Sequence, residues 1–154
     1  MPSVDTRFDQ MFPKLTAQEI ARIERFGKRA EFRKGDALFL IGDARPGMLV
    51  IVKGSVSVTW HDGLGHVKPV VDVSDHDFLA EVGQLSGRRS LVDAYATTDI
   101  EAIVVPTESL RALLIAEADL GERIMRALIL RRVNMLEKHL GGPVLIGDPG
   151  SPDM

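Results

Sequence analysis

The chain has 154 residues, 45% hydrophobic and 27% charged, which suffices for one domain with a true core and excludes a disordered regulator. A formal net charge of −3, with basic residues scattered among acids, argues against the long-range attraction that drives nucleic-acid binding. The absence of cysteine excludes disulfides, thiol redox work and thiolate metal sites within this chain, and no apolar run reaches membrane-spanning length.

Met1 to Phe12 is polar and acidic without an apolar signal core, so a cytoplasmic protein with no membrane partner is expected. Thr16 followed by Glu19 is a capping-box signature, and Ile20, Ile23 and Phe26 recur at helical spacing, which predicts a helix over about 16–27 ending near Gly27. From Ala30 to Val73 the pattern changes to short apolar runs cut by Gly and Asp: 37–41, 48–52 and 55–60, with turns at Gly42-Asp43 and Lys53-Gly54. His61 to His66 reads as a glycine-bearing hairpin tip, with 67–73 as its return strand. Two further strands, 91–96 and 100–105, follow a polar interruption, and Pro106 stops the second. Thr107–Ile115 then reads as a short helix and Ala118–Leu140 as a long one with Leu120, Ile124 and Leu128 on its apolar stripe. Regularly spaced strands joined by tight turns indicate an antiparallel roll or barrel.

The stretch that carries chemistry is Phe78-Leu79-Ala80-Glu81-Val82-Gly83-Gln84-Leu85-Ser86-Gly87-Arg88-Arg89-Ser90. An arginine fork can hold two phosphate oxygens, glycines let backbone N–H groups approach the same oxygens, and a carboxylate can accept from sugar hydroxyls. A sugar phosphate would use all three.

This stretch resembles the phosphate-binding cassette of cyclic-nucleotide-binding domains, the family of the catabolite activator protein and of the regulatory subunits of cyclic-nucleotide-dependent kinases. Phe78, Glu81, Val82 and Gly83 match the first half of its pattern, and Arg89-Ser90 the second. Gly35, Leu38 and Gly42, then Leu49, Val52, Gly54 and Val56, are similar to two turn signatures of the family. The resemblance covers roughly residues 15–138. It implies an α+β, mainly β fold: an eight-stranded antiparallel, jelly-roll-like β-roll with an N-terminal helix and two C-terminal helices. It also implies a ligand set of Glu81 on the ribose hydroxyl, Val82 and Gly83 beside it, Arg89 on the phosphate, Ser90 donating through its hydroxyl or N–H, and Arg88 as the substitute for Arg89 in a shifted cassette. Departures are Ala80 in place of glycine, Leu91 in place of alanine, and a shorter span from Glu81 to Arg89. They bear on ligand binding, because a methyl group restricts backbone angles that glycine leaves open.

After Gly141-Gly142-Pro143, the apolar run Val144-Leu145-Ile146 begins a strand without a partner. The region from Arg131 to Gly147 resembles the junction in bacterial proteins where such a domain precedes a flavin-dependent, thioredoxin-reductase-like module. The expected organisation is an N-terminal arm over 1–14, the nucleotide-binding-like domain over 15–140, and a linker with the start of a following domain over 141–154.

The expected function is non-catalytic: a small-molecule-sensing regulatory domain for cAMP or cGMP that controls a C-terminal reductase-like effector. No cofactor belongs to this chain, and FAD would sit only in that module. The long helix, carrying Arg123, Arg126, Arg131 and Arg132 among Glu117, Glu122 and Glu137, reads either as a charged outer face or as a lid through which a homodimer forms. A second reading, supported by Ala80 and Leu91, is a degenerate roll used only for dimerisation or docking. A metal-dependent roll enzyme is disfavoured, since His61, His66, His76 and His139 lack ligand spacing, and Asp75-His76-Asp77 reads as a solvated loop.

Overall fold

Thr16 opens helix α1 (Ala17–Glu24) in the computed structural model, which describes residues 9–43, 47–80 and 89–138. The capping box is complete: Glu19 N–H donates to Thr16 Oγ1 at 3.1 Å, and Thr16 N–H donates to Glu19 Oε1 at 2.9 Å. The other oxygen of Glu19 pairs with Arg123 on the long C-terminal helix. Burial raises the Glu19 carboxyl, but the Thr16 and Arg123 bonds outweigh it and hold the group below its ordinary value of 4.5. A group depressed on folding contributes stability above its unfolded pKa and loses it as pH falls through the folded one. Glu19→Gln keeps the cap and removes the charge, so it is expected to cost about 1 kcal/mol at neutral pH. That difference from wild type shrinks below pH 4.5 in urea titrations; a difference constant down to about pH 3 would count against the ion pair.

Eight strands follow: β1 (Lys28–Phe32), β2 (Ala37–Phe39), β3 (Met48–Lys53), β4 (Val56–His61), β5 (Val67–Val73), β6 (Phe78–Leu79), β7 (Asp93–Ala96) and β8 (Ile100–Val105). They form two antiparallel four-stranded sheets, ordered β1-β8-β3-β6 and β2-β7-β4-β5. The roll expected from the strand spacing is therefore present. Two of its strands have no sequence signature. β1, Lys-Arg-Ala-Glu-Phe, is an edge strand with its charged residues in solvent, and β6 is two residues long.

The unbroken apolar run of β3 has a direct cause: the strand is buried on both faces. Leu49 and Ile51 point into the roll with Phe39, Val56, Val58 and Leu79, while Met48 and Val50 point outward to the helices with Ile20, Ile23, Phe78, Ile103 and Leu128. β8 divides likewise, Ile100 and Ala102 inward and Ile103 and Val105 outward.

Crossings between the sheets stack at one end of the roll. Between β3 and β4, Ser55 N–H donates to Thr98 Oγ1 at 3.0 Å and Ser55 O accepts from Thr97 N at 3.0 Å, tying this turn to the one between β7 and β8. The β1–β2 turn joins them through Gly35 N–H to Ala96 O at 2.8 Å and Lys34 N–H to Asp99 Oδ1 at 2.9 Å.

Helices α2 (Thr107–Ala116) and α3 (Ala118–Lys138) close the outer face of the first sheet. Gly121 lets α3 lie against the end of α2, since a Cβ there would stand 2.7 Å from the Leu114 carbonyl oxygen. Arg22 of α1 reaches Glu117 at 3.4 Å, so ion pairs from α1 bind both the junction between the closing helices and, through Glu19, α3 itself. No described helix is long and apolar enough to cross a membrane.

Candidate functional site

At the end of the roll opposite the stacked turns, the chain leaving β2 meets the chain entering β7. Gly42, in the left-handed region at φ 93°, exposes its backbone to the second segment: its N–H donates to Ser90 O at 2.9 Å, and Ser90 N–H donates to Asp43 O at 3.0 Å. This reciprocal pair seats Arg89, whose Nη1 donates to the Gly42 carbonyl at 2.8 Å while the residue as a whole stays exposed. Among the described residues no carboxylate pairs with this guanidinium, and Gly42 engages one of its five N–H groups. The remainder of the fork is suited to an anion at the rim.

Ser90 is buried, with its hydroxyl donating to Val92 O at 2.7 Å. In this arrangement both its hydroxyl and its N–H serve the loop, so Ser90 builds the seat on which Arg89 rests. Glu81, Val82, Gly83 and Arg88 lie outside the described residues. Ala80, immediately before them, is buried against the helix-side core.

Two contributors had no signal in the sequence reading. Asp93, the first residue of β7, is buried; its Oδ1 accepts from Ile41 N at 2.7 Å and its Oδ2 is bonded to His61 Nδ1 at 2.7 Å. One carboxylate thus fastens the β2–β3 chain to the strand that follows Arg89, and His61 gives it a polar partner at the solvent edge. His66 does not meet His61 across the hairpin. It bonds Asp62 at 2.8 Å and pulls that carboxyl down to about 2. Among the described residues no three of His, Asp and Glu could hold a metal ion.

Two expectations are corrected. Asp77 is not a solvated loop acid: it is buried, its Oδ2 accepts from Ser74 N at 2.8 Å and from Lys14 Nζ at 3.0 Å, and His76 beside it is in the left-handed region at φ 72°. The arginines of α3 do not share one outer face. Arg126 does lie outside, 3.9 Å from Glu122, but Arg123 reaches across to Glu19, and Arg131 is turned inward with its guanidinium between two phenylalanine rings.

Residues 29–117, more than half of the chain, match the cyclic nucleotide-binding domain model. The chain belongs to the cyclic nucleotide-binding domain family. Among solved structures, this domain is similar to the catabolite activator protein of Thermus thermophilus, at TM-score 0.70 and 19% identity over 85% of this chain and 61% of that one. It is also similar to the c-di-GMP-responsive global regulator CLP of Xanthomonas campestris, at TM-score 0.67 and 19% identity over 85% of this chain and 65% of that one. At such identity these two likenesses establish the fold, and the chain spans less than two thirds of either regulator. A third neighbour, from a cyclic-GMP-dependent signalling pathway that regulates bacterial phytopathogenesis, is 27% identical with TM-score 0.65, over 79% of this chain and 96% of that one. No curated protein matches this cyclic nucleotide-binding domain significantly.

Proposed function

We propose that this regulatory domain binds a cyclic nucleotide, cAMP or cGMP, and uses it to bias an attached effector in the cytoplasm. What supports the reading most is Arg89, exposed at the rim on a hydrogen-bonded seat with most of its donors uncommitted among the described residues. In this reading Arg89 neutralises the cyclic phosphate, Glu81 accepts the ribose hydroxyl, and Val82, Gly83 and Ser90 shape the loop between them, with Arg88 as the alternate cation. The likeness to a protein of a cyclic-GMP-dependent pathway favours testing cGMP beside cAMP.

Binding regulates only through a difference in affinity between two arrangements of the closing helices. The effector we propose is a thioredoxin-reductase-like module following residue 140, which would carry the FAD. Ile129 and Val133, 48% and 41% exposed and one turn apart on α3, offer an apolar strip for a second copy of the domain.

Isothermal titration with cAMP and cGMP tests the reading. Saturable binding is expected, with Arg89→Ala weakening it about 10- to 100-fold, as loss of a charge-assisted phosphate contact implies. Silence with both nucleotides at millimolar concentration would reject it and leave the dimerisation or docking scaffold.

A further inference from the structure

Besides the apolar side chains that share a core with Phe78, the long closing helix sends one cation to the approach to the cassette. The Arg131 guanidinium lies between the rings of Phe12 and Phe78, 4.4 Å from each centroid. In its own plane, Nε donates to the Met11 carbonyl at 2.6 Å and Nη1 to the Phe78 carbonyl at 2.8 Å. Both faces and two edges of the fork are therefore spent on two segments remote in sequence, 11–12 before α1 and 78 in β6. A lysine ammonium, a point charge without a planar face, cannot make this set of contacts.

The same two segments are joined directly. Leu15 N–H donates to His76 O at 3.0 Å, and Lys14 Nζ reaches Asp75 O and Asp77 Oδ2, both at 3.0 Å. Residues 11–15 thus run along 75–78, and Arg131 clasps the pair from α3. β6 is a two-residue strand at the edge of its sheet, paired to β3 through Leu49–Leu79 and Val50–Phe78, and the chain entering it is held by Ile51, whose N–H donates to Asp77 O at 2.8 Å and whose carbonyl accepts from His76 N–H at 2.6 Å. Phe78 stands three residues before Glu81 in the chain.

Arg131 makes no close carboxylate pair among the described residues, and burial pulls its guanidinium down to about 9, opposed by the field of Asp77, so it remains charged at neutral pH. Nη2 of Arg131 and Oδ1 of Asp77 are both buried without a hydrogen-bond partner among the described residues.

We propose that Arg131 is a positioning residue, a latch that makes α3, the segment before α1 and the entry to the cassette move as one unit. Coupling of nucleotide occupancy to α3 through the Phe78 carbonyl rests on the binding reading above; the latch itself does not.

Hydrogen exchange on the full chain, with and without cAMP or cGMP, tests it in wild type, Arg131→Met and Arg131→Lys. Methionine keeps an apolar stem of similar length and removes the fork, leaving the Met11 and Phe78 carbonyls without their donor. Without nucleotide, peptides covering 9–15 and 75–80 are expected to exchange about tenfold faster or more in Arg131→Met, together and beyond any change in the strands β4, β5 and β7. With nucleotide, α3 gains protection in wild type and not in the variant. Arg131→Lys is expected to loosen the same two segments to a smaller degree, and it carries the test if the methionine variant fails to fold.

The latch is overturned if only one segment loosens, if neither does, if every peptide loosens in step with a fallen midpoint, or if neither variant folds. Lysine with wild-type exchange in both segments also overturns it. If wild type binds neither nucleotide, the binding reading fails while the exchange without nucleotide still decides the latch.

Discussion

Phe78→Ala is expected to lower stability by about 3–5 kcal/mol, the usual cost of emptying a phenylalanine site in a core. The ring is fully buried in the helix-side cluster with Met48, Val50, Ile103 and Leu128, and one face carries the Arg131 guanidinium at 4.4 Å. Truncation removes the apolar volume and also leaves a buried cation uncovered on one side, so the loss belongs at the upper end of that range. Urea denaturation would read it directly, and a fall in thermal midpoint of about 10 °C or more should accompany it at this chain length. Phe78→Leu keeps most of the volume and is expected to lose well under half as much. Equal losses for the two variants would mean that the ring's shape, stacked on arginine, matters more than its bulk.

The second large effect belongs to Gly54→Ala, at about 3 kcal/mol or more. Gly54 sits at φ 121°, a region that side-chain-bearing residues rarely enter, at the point where the chain crosses from the sheet of β3 to the sheet of β4. A Cβ there would also stand 2.7 Å from the Asp99 carbonyl oxygen and 3.1 Å from Thr98 Oγ1. Thr98 is the acceptor for Ser55 N–H, and Asp99 for Lys34 N–H. Relieving the clash therefore pushes on the stack of turns that joins both sheets. Gly63→Ala is the matched control: no atom lies within 4 Å of its added methyl, and less than about 0.5 kcal/mol of change is expected. If both substitutions were equally mild in chemical denaturation, the stacked corner would not be the rigid element described here.

The helices and the central strands were legible because each carries its own periodic signal. Thr16 and Glu19 announce α1 through a local reciprocal hydrogen bond, and Met48–Val52 announces β3 through burial on both faces. β1 was silent because an edge strand can leave Lys28, Arg29 and Glu31 in water, and β6 because two residues establish no period. At the site, Arg89 and Ser90 were marked by their resemblance to the second half of the family's cassette. The bond from the Ser90 hydroxyl to the Val92 carbonyl had no sign in the sequence. Asp93 and Asp77 look in sequence like ordinary turn acids; only their surroundings make them buried acceptors.

Read alone, the amino-acid order determined the architecture: one helix, a roll of short strands and two closing helices, with a cation-bearing stretch between the strands read at 67–73 and 91–96. Those features follow from hydrophobic period, glycine at turns and proline at ends, all of which act over a few residues. Tertiary structure alone decided which of several similar arginines does what. Arg123, Arg126 and Arg131 lie on one helix within nine residues, yet one braces α1, one faces water and one is enclosed by Phe12 and Phe78. The physical reason is that a guanidinium's role is set by the carbonyls, rings and acids brought against it from other parts of the chain, and a helical sequence encodes which way it points without encoding what it will meet.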